Sequence, residues 1–203
     1  MITSLRPLQA ELRALLGDDA VLTRPEDTAA FEIDQRRLYR GRALAVALPR
    51  SVEQVSAVAV WCNRQRIGLV PQGGNTGYCG GATPDESGNQ LLLSLQRLNR
   101  VRSIDAANFS MTVEAGCVLA KVQQAADAAE RFFPLSLGAE GSCQIGGNLG
   151  TNAGGLNVVR YGMTRDLVLG VEAVLADGSV LHGLKSLRKD NTGYDLKSLL
   201  VGS

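Results

Sequence analysis

Two dense clusters of glycine constrain this chain more than any other feature of it. Residues 71–81 read Pro71-Gln72-Gly73-Gly74-Asn75-Thr76-Gly77-Tyr78-Cys79-Gly80-Gly81, and residues 138–155 hold seven glycines in eighteen positions with Glu140 as the sole charge. Glycine occurs 23 times in 203 residues, against a usual share of about seven per cent. Stretches so poor in side chains cannot fill a core. They suit main chain pressed against a ligand, with successive N–H groups aimed into one concavity. Asn75 and Thr76 in the first cluster, and Ser142, Asn148, Thr151 and Asn152 in the second, supply polar side chains for the same purpose. Two such loops in one small protein suggest an extended ligand gripped along its length, such as a dinucleotide.

The common nucleotide motifs are absent. A P-loop needs a Gly-Lys dipeptide, and the sequence has none; the Rossmann fingerprint needs the offsets G-x-G-x-x-G, and no three glycines have them. Lys plus Arg total 21 against 20 Asp plus Glu, so no basic excess points to nucleic acid. No apolar run nears the roughly 20 residues of a membrane span, and Arg6, Glu11 and Arg13 interrupt the N-terminal leucines. A soluble, cytoplasmic protein is expected. The single histidine, His182, with four scattered cysteines (Cys62, Cys79, Cys117 and Cys143), leaves no zinc-ligand spacing and makes a Ser-His-Asp triad improbable. The cysteines read as reduced thiols and no metal site is expected.

Around the clusters, hydrophobic periodicity marks the elements. Leu5, Leu8, Leu12, Leu15 and Leu16 predict an N-terminal helix stopped by Gly17. Ala43–Leu48 predicts a buried strand. Ser51 with Gln54 opens a helix running to about Arg66. A short strand Ile67–Val70 ends at Pro71. Strands are expected at Leu91–Leu95, Val101–Ile104 and Met111–Ala115, a helix carrying Leu119, Val122, Ala126 and Ala129 that ends near Phe132-Phe133-Pro134, and a hairpin of Val171–Ala176 with Ser179–Leu184 turning at Asp177-Gly178. Strands and helices alternate early and strands dominate later, which predicts an α+β protein with mixed sheets. A lead-in over residues 1–40 and a ligand-binding domain over 41–203 follow from this reading.

Pro71–Gly81, Ile145-Gly146-Gly147 and Thr151-Asn152-Ala153-Gly154-Gly155, continued by Tyr161-Gly162, Arg165-Asp166 and Leu169-Gly170-Val171-Glu172, resemble the FAD-binding domain of the vanillyl-alcohol oxidase/p-cresol methylhydroxylase flavoproteins. The resemblance implies a two-subdomain FAD-binding fold of the p-cresol methylhydroxylase type. It implies cofactor contacts from Gln72, Gly73, Gly74, Asn75, Thr76, Gly77, Gly81 and Ala82 on the first loop. On the second it implies Glu140, Gly141, Ser142, Ile145, Gly146, Gly147, Asn152, Gly154 and Gly155, with backbone contacts from Val171. Members with covalent flavin place histidine where Asn75 stands, and Cys143 lies one residue from the position of a second covalent link. Noncovalent FAD is therefore expected.

Glycolate oxidases and many D-lactate dehydrogenases carry Arg where Gln72 stands. The segments Pro71–Gly77, Glu140–Asn148 and Arg188-Lys189-Asp190-Asn191-Thr192-Gly193-Tyr194-Asp195-Leu196 are closer to D-2-hydroxyglutarate dehydrogenases. The resemblance thus implies FAD-linked oxidation of a D-2-hydroxy acid, with an electron-transfer flavoprotein or a quinone as acceptor. It also implies a substrate domain that this sequence does not contain. None of the residues present reads as a catalytic base. Alternatives are D-lactate or glycolate oxidation, a reductase of UDP-N-acetylenolpyruvylglucosamine, or a non-catalytic flavin-binding subunit.

Overall fold

A computed structural model describes residues 5–203, with side chains in the first helix from Pro7 onward. The chain divides into two compact units, one of Met1–Leu98 with Val174–Val180, the other of Asn99–Ala173 with Leu181–Ser203.

The first unit is built on a four-stranded mixed sheet. Its elements are α1 (Leu5–Leu16), β1 (Val21–Leu22), α2 (Pro25–Thr28), β2 (Ala43–Ala47), α3 (Val52–Gln65), β3 (Gly68–Gln72) and β4 (Gln90–Ser94). The strand order is β1-β2-β4-β3, with β2 and β3 each parallel to β4 and β1 antiparallel to β2. Leu44–Leu48 and Leu91–Leu93 are buried on both faces, as continuous apolar runs of parallel strands should be. Leu12 and Leu16 of α1 and Val58, Trp61 and Cys62 of α3 close the core. Ser51 Oγ accepts from the Gln54 N–H, while Gln54 Oε1 accepts from the N–H of Arg50, one residue before the cap. The helix ends at Arg66 in the left-handed region (φ 57°).

Of the expected boundaries in this unit, that of the third strand moves furthest. The strand expected over Ile67–Val70 spans Gly68–Gln72 and passes through Pro71. It lies at the edge of the sheet, where a residue without an N–H removes no ladder bond from a second neighbour. Pro71 and Gln72 of the first cluster therefore belong to the strand, and its glycines begin at Gly73, one residue beyond the strand end.

The second unit holds β5 (Val101–Asp105) and β6 (Ser110–Val113) as an antiparallel pair, followed by α4 (Leu119–Ala128), α5 (Ile145–Gly150), α6 (Val158–Tyr161) and α7 (Thr164–Leu167). Helix α4 stops short of the expected end near Phe132-Phe133-Pro134 because the chain turns out of the helix at Glu130, held in the left-handed region at φ 56°. The hairpin of β7 (Val171–Val174) and β8 (Val180–Gly183), whose turn segment Val174–Val180 belongs to the first unit, and the short α8 (Leu196–Leu200) follow. The core consists of Cys117, Leu119, Val122, Leu135, Cys143 and Ile145. The turn of the hairpin is the expected Asp177-Gly178, with Gly178 at φ 87°. Its carbonyl accepts from Ser56 Oγ, and a Cβ there would lie 2.3 Å from Val60, so this turn must be glycine on two counts. His182 is an exposed strand residue whose Nδ1 lies 3.6 Å from Glu172. Among the described residues no helix is long and apolar enough to cross a membrane, and no three His, Cys, Asp or Glu side chains gather as a metal site.

Candidate cofactor site

The first glycine cluster is held from below by amide side chains. Gln72 is buried, and its Nε2 donates to the carbonyls of Phe31 (2.9 Å) and Ala82 (2.8 Å). Asn75 sits in the left-handed region (φ 53°), and its Nδ2 donates to the Ile33 carbonyl at 2.8 Å. Both amides thus fasten the loop to residues 31–33, so these two residues shape the site through their side chains and can meet a ligand through their main chain. The next residues are open. Gly77 and Gly81 are exposed, and a Cβ built on either meets nothing within 4 Å. Gly73, Gly74, Thr76 and Ala82 are half-buried beside them.

In the second unit the cluster folds around α5, six residues reading Ile-Gly-Gly-Asn-Leu-Gly. Its two faces do different things. Ile145, Asn148 and Leu149 line a cavity of about 650 Å³ shared with Met111, Val113 and Leu135, whereas Gly147 and Gly150 are absent from that lining and stand exposed with no atom within 4 Å of an added Cβ. Gly141 and Ser142, also exposed, precede the helix, and Gly141 is equally open. The site is therefore a surface of bare backbone.

Other glycines of the cluster serve the fold instead. A Cβ at Gly146 would lie 2.8 Å from that of Ala115, and one at Gly155 would lie 2.0 Å from the Ser136 carbonyl oxygen. Gly154 has Val158 and Met163 at ordinary contact distance. Several of the expected polar contacts also turn inward. Asn148 is buried with Nδ2 3.6 Å from Cys143 Sγ, Thr151 Oγ1 donates back to the Gly147 carbonyl, and Asn152 Oδ1 accepts from the Arg165 N–H. Glu140 Oε2 accepts from Gln123 and Ser136. Ile145 belongs to the core, and Val171, nearly buried, opens β7.

Two residues that the sequence pattern did not single out stand out here. Among the described residues, the buried side-chain polar atoms without a partner are Thr83 Oγ1 and Gln144 Oε1. Thr83 follows the first cluster by two residues, and Gln144 is the N-cap of α5 within the second. A buried acceptor without a partner costs about 1–3 kcal/mol, so each cluster carries one polar group that a ligand could satisfy. FAD has matching parts: a pyrophosphate for N–H nests, ribityl hydroxyls, and a ring N–H for an acceptor. Residues and cofactor fit.

The three buried thiols, Cys62, Cys117 and Cys143, are poor nucleophiles. Burial pushes Cys62 up to about 12 and raises Cys117 and Cys143. Cys143 is nearly inaccessible, and all four cysteines are free. With Asn75 unable to form an 8α-histidyl bond, neither position is equipped for a covalent flavin link.

Comparison with known proteins agrees with this geometry. Residues 43–183 match the family described as the FAD binding domain. The chain is 46% identical over 183 residues to a mitochondrial D-2-hydroxyglutarate dehydrogenase of Bos taurus, covering 90% of this chain and 33% of that protein. It is 44% identical over 191 residues to a protein of Oryza sativa subsp. indica named as a probable mitochondrial D-2-hydroxyglutarate dehydrogenase, covering 94% and 34%. Thus the chain spans about a third of the length of these relatives. The crystal structure of p-cresol methylhydroxylase with substrate bound superposes with a TM-score of 0.79 at 22% identity, over 99% of this chain and 41% of that one, a likeness of fold. The chain belongs to the FAD-binding domain family, with the two-subdomain α+β fold of the p-cresol methylhydroxylase type.

Proposed function

We propose that this chain, through residues 41–203, is the cofactor-holding part of an FAD-linked dehydrogenase that oxidises a D-2-hydroxy acid, D-2-hydroxyglutarate foremost, to the 2-oxo acid. The observation that carries the reading is the pairing of open glycines with a buried polar group lacking a partner, within the second cluster at Gln144 and just after the first at Thr83, joined to the identity with D-2-hydroxyglutarate dehydrogenases over nearly the whole chain. FAD, bound without a covalent link, would supply the hydride acceptor. The N–H groups of 73–77 would hold the pyrophosphate. Gly141, Ser142 and Gly147 would run along the cofactor, and Gln144 Oε1 would accept from it.

The glycine clusters carry no general base: Glu140 is their one titratable carboxylate, and Gln123 and Ser136 occupy it. Substrate recognition therefore falls to other parts of the enzyme, where a dicarboxylate needs Arg or Lys partners. An electron-transfer flavoprotein or a quinone would take the electrons. The cytoplasmic placement expected from the sequence differs from the mitochondrial label of the relatives, and fractionation of a tagged chain distinguishes the two.

The test is dye reduction by the complete enzyme across D- and L-hydroxy acids. Preference for D-2-hydroxyglutarate over glycolate, D-lactate and the L-enantiomer is expected. Preference for D-lactate or glycolate contradicts the assignment of substrate, and oxidation of NADPH with a UDP-sugar contradicts the reaction class.

A further inference from the structure

A dinucleotide brings two negative charges in its pyrophosphate, yet neither glycine cluster contains a lysine or arginine. The cation that the structure sets against the first cluster is Arg36, whose guanidinium lies 5.4 Å from the ring centroid of Tyr78. Tyr78 is three residues beyond Asn75 in the same loop and is mostly exposed.

Arg36 is presented on a prepared turn. The Asp34 carboxylate, 2% exposed, accepts from the N–H groups of Arg36 (3.0 Å) and Tyr39 (2.6 Å). The Arg37 N–H donates to the Asp34 carbonyl, and Arg37 itself is held at φ 58°, a conformation that costs about 1 kcal/mol or more outside glycine. This turn is tied to the glycine loop at two points: Asn75 Nδ2 donates to the Ile33 carbonyl, and the Tyr39 ring fills the space where a Cβ at Gly80 would stand.

The arginines here are also, among the described residues, without an ion pair, as are Arg42 and Arg66 of the same unit. Arg24, Arg50, Arg64 and Arg97 of the same unit each meet a carboxylate within 4 Å. Among the described residues Arg36, Arg37 and Arg40 meet none within that distance, and the carboxylate facing Arg36, that of Asp34, is already occupied by backbone N–H groups. A guanidinium resting on an aromatic face keeps its donors available for an anion.

We propose that Arg36, steadied by Tyr78 and by the Asp34-clamped turn, binds and neutralises the pyrophosphate of the dinucleotide seated on the first glycine loop. This deepens the reading of the chain as an FAD-binding unit and rests on it. Arg36 would add a charge-assisted bond to a cradle otherwise made of neutral N–H donors. Arg37 and Arg40 raise the positive potential of the rim without needing to touch the ligand.

The experiment is fluorescence titration of the chain with FAD and with riboflavin, which lacks phosphate, at low and high salt. Wild type, Arg36→Gln, Arg36→Lys and Arg37→Gln are compared, with circular dichroism melts confirming equal folding. For Arg36→Gln, FAD affinity should fall about tenfold, the worth of one hydrogen bond to a charged group. Its salt dependence should shrink, and riboflavin affinity should not change. Arg36→Lys should lose less, and Arg37→Gln, with the same loss of charge, should lose little. If wild type binds FAD and Arg36→Gln binds it equally, or if Arg36→Gln and Arg37→Gln weaken it alike, the role of Arg36 is overturned alone. If wild type binds no FAD, the reading beneath it falls too.

Discussion

Gly147 and Gly155 lie eight residues apart in one cluster and are glycine for opposite reasons. Around Gly147 an added Cβ meets nothing within 4 Å, whereas at Gly155 it would sit 2.0 Å from a backbone oxygen. Gly147→Val should therefore leave the melting temperature close to wild type and abolish FAD binding, because the branched side chain fills the space assigned to the cofactor. Gly155→Ala should destabilise the second unit by about 2 kcal/mol through backbone displacement, with or without FAD. Melts and flavin titrations of the two variants separate these effects. A Gly147→Val chain that binds FAD normally would contradict the assignment of the open face of α5.

That distinction was not legible in the sequence. The repeated glycines announced a ligand loop, but their division depends on Ala115 and Ser136, brought in from distant parts of the chain. The same limit applies to Gln72 and Asn75. The Asn75 side chain was expected to face the ligand and Gln72 to contact it, yet both amides turn to residues 31–33 because carbonyls there, about 40 residues away in sequence, offer acceptors. Thr83 and Gln144 gave no pattern to notice, since an orphan acceptor is defined by what its surroundings lack.

At the scale of elements, local signals carried further. The 3.6-residue spacing located α1, α3 and α4, and Asp177-Gly178 located a hairpin, because each is decided by neighbours in sequence. Strand β3 ran past Pro71 because the edge position, a property of the sheet, decides whether proline is tolerated. The β5–β6 pair is fastened by Glu114, a buried carboxylate just after β6. It accepts from the Arg100 N–H (2.8 Å) and from Arg100 Nη2 (2.8 Å), with Arg102 Nε 3.6 Å away. Burial alone would raise its pKa; the Arg100 side-chain and backbone bonds and the two positive charges outweigh that and leave it below 4.5. A carboxyl depressed in the folded state contributes stability above its unfolded pKa and loses it as pH falls through the folded value. Stability of the wild type should thus decline below about pH 4.5. Glu114→Gln should cost about 2 kcal/mol at neutral pH and flatten that acid-side decline. Urea titrations between pH 3 and pH 7 check this, and an unchanged slope in Glu114→Gln would assign the acid sensitivity to other groups.

Across the whole molecule, the two glycine clusters lie in separate compact units, each with its own core and its own unsatisfied acceptor. The chemistry of these groups suits contact with a cofactor in each unit. It also gives the reason the chain should bind without catalysing: backbone donors and neutral acceptors hold a cofactor, whereas taking a hydroxyl proton needs a base that the clusters do not provide. The 203 residues saturated with FAD should reduce no dye with D-2-hydroxyglutarate, and turnover by this chain alone would contradict the division of labour proposed above.

That the chain holds one FAD by noncovalent contacts alone is what the proposed function depends on. Its most direct test is to load the purified chain with FAD, remove the excess, precipitate the protein with acid, and identify the flavin in each fraction by mass. About one intact FAD per chain is expected in the supernatant, over a colourless pellet. A yellow pellet, FMN in the supernatant, or no retained flavin would contradict it.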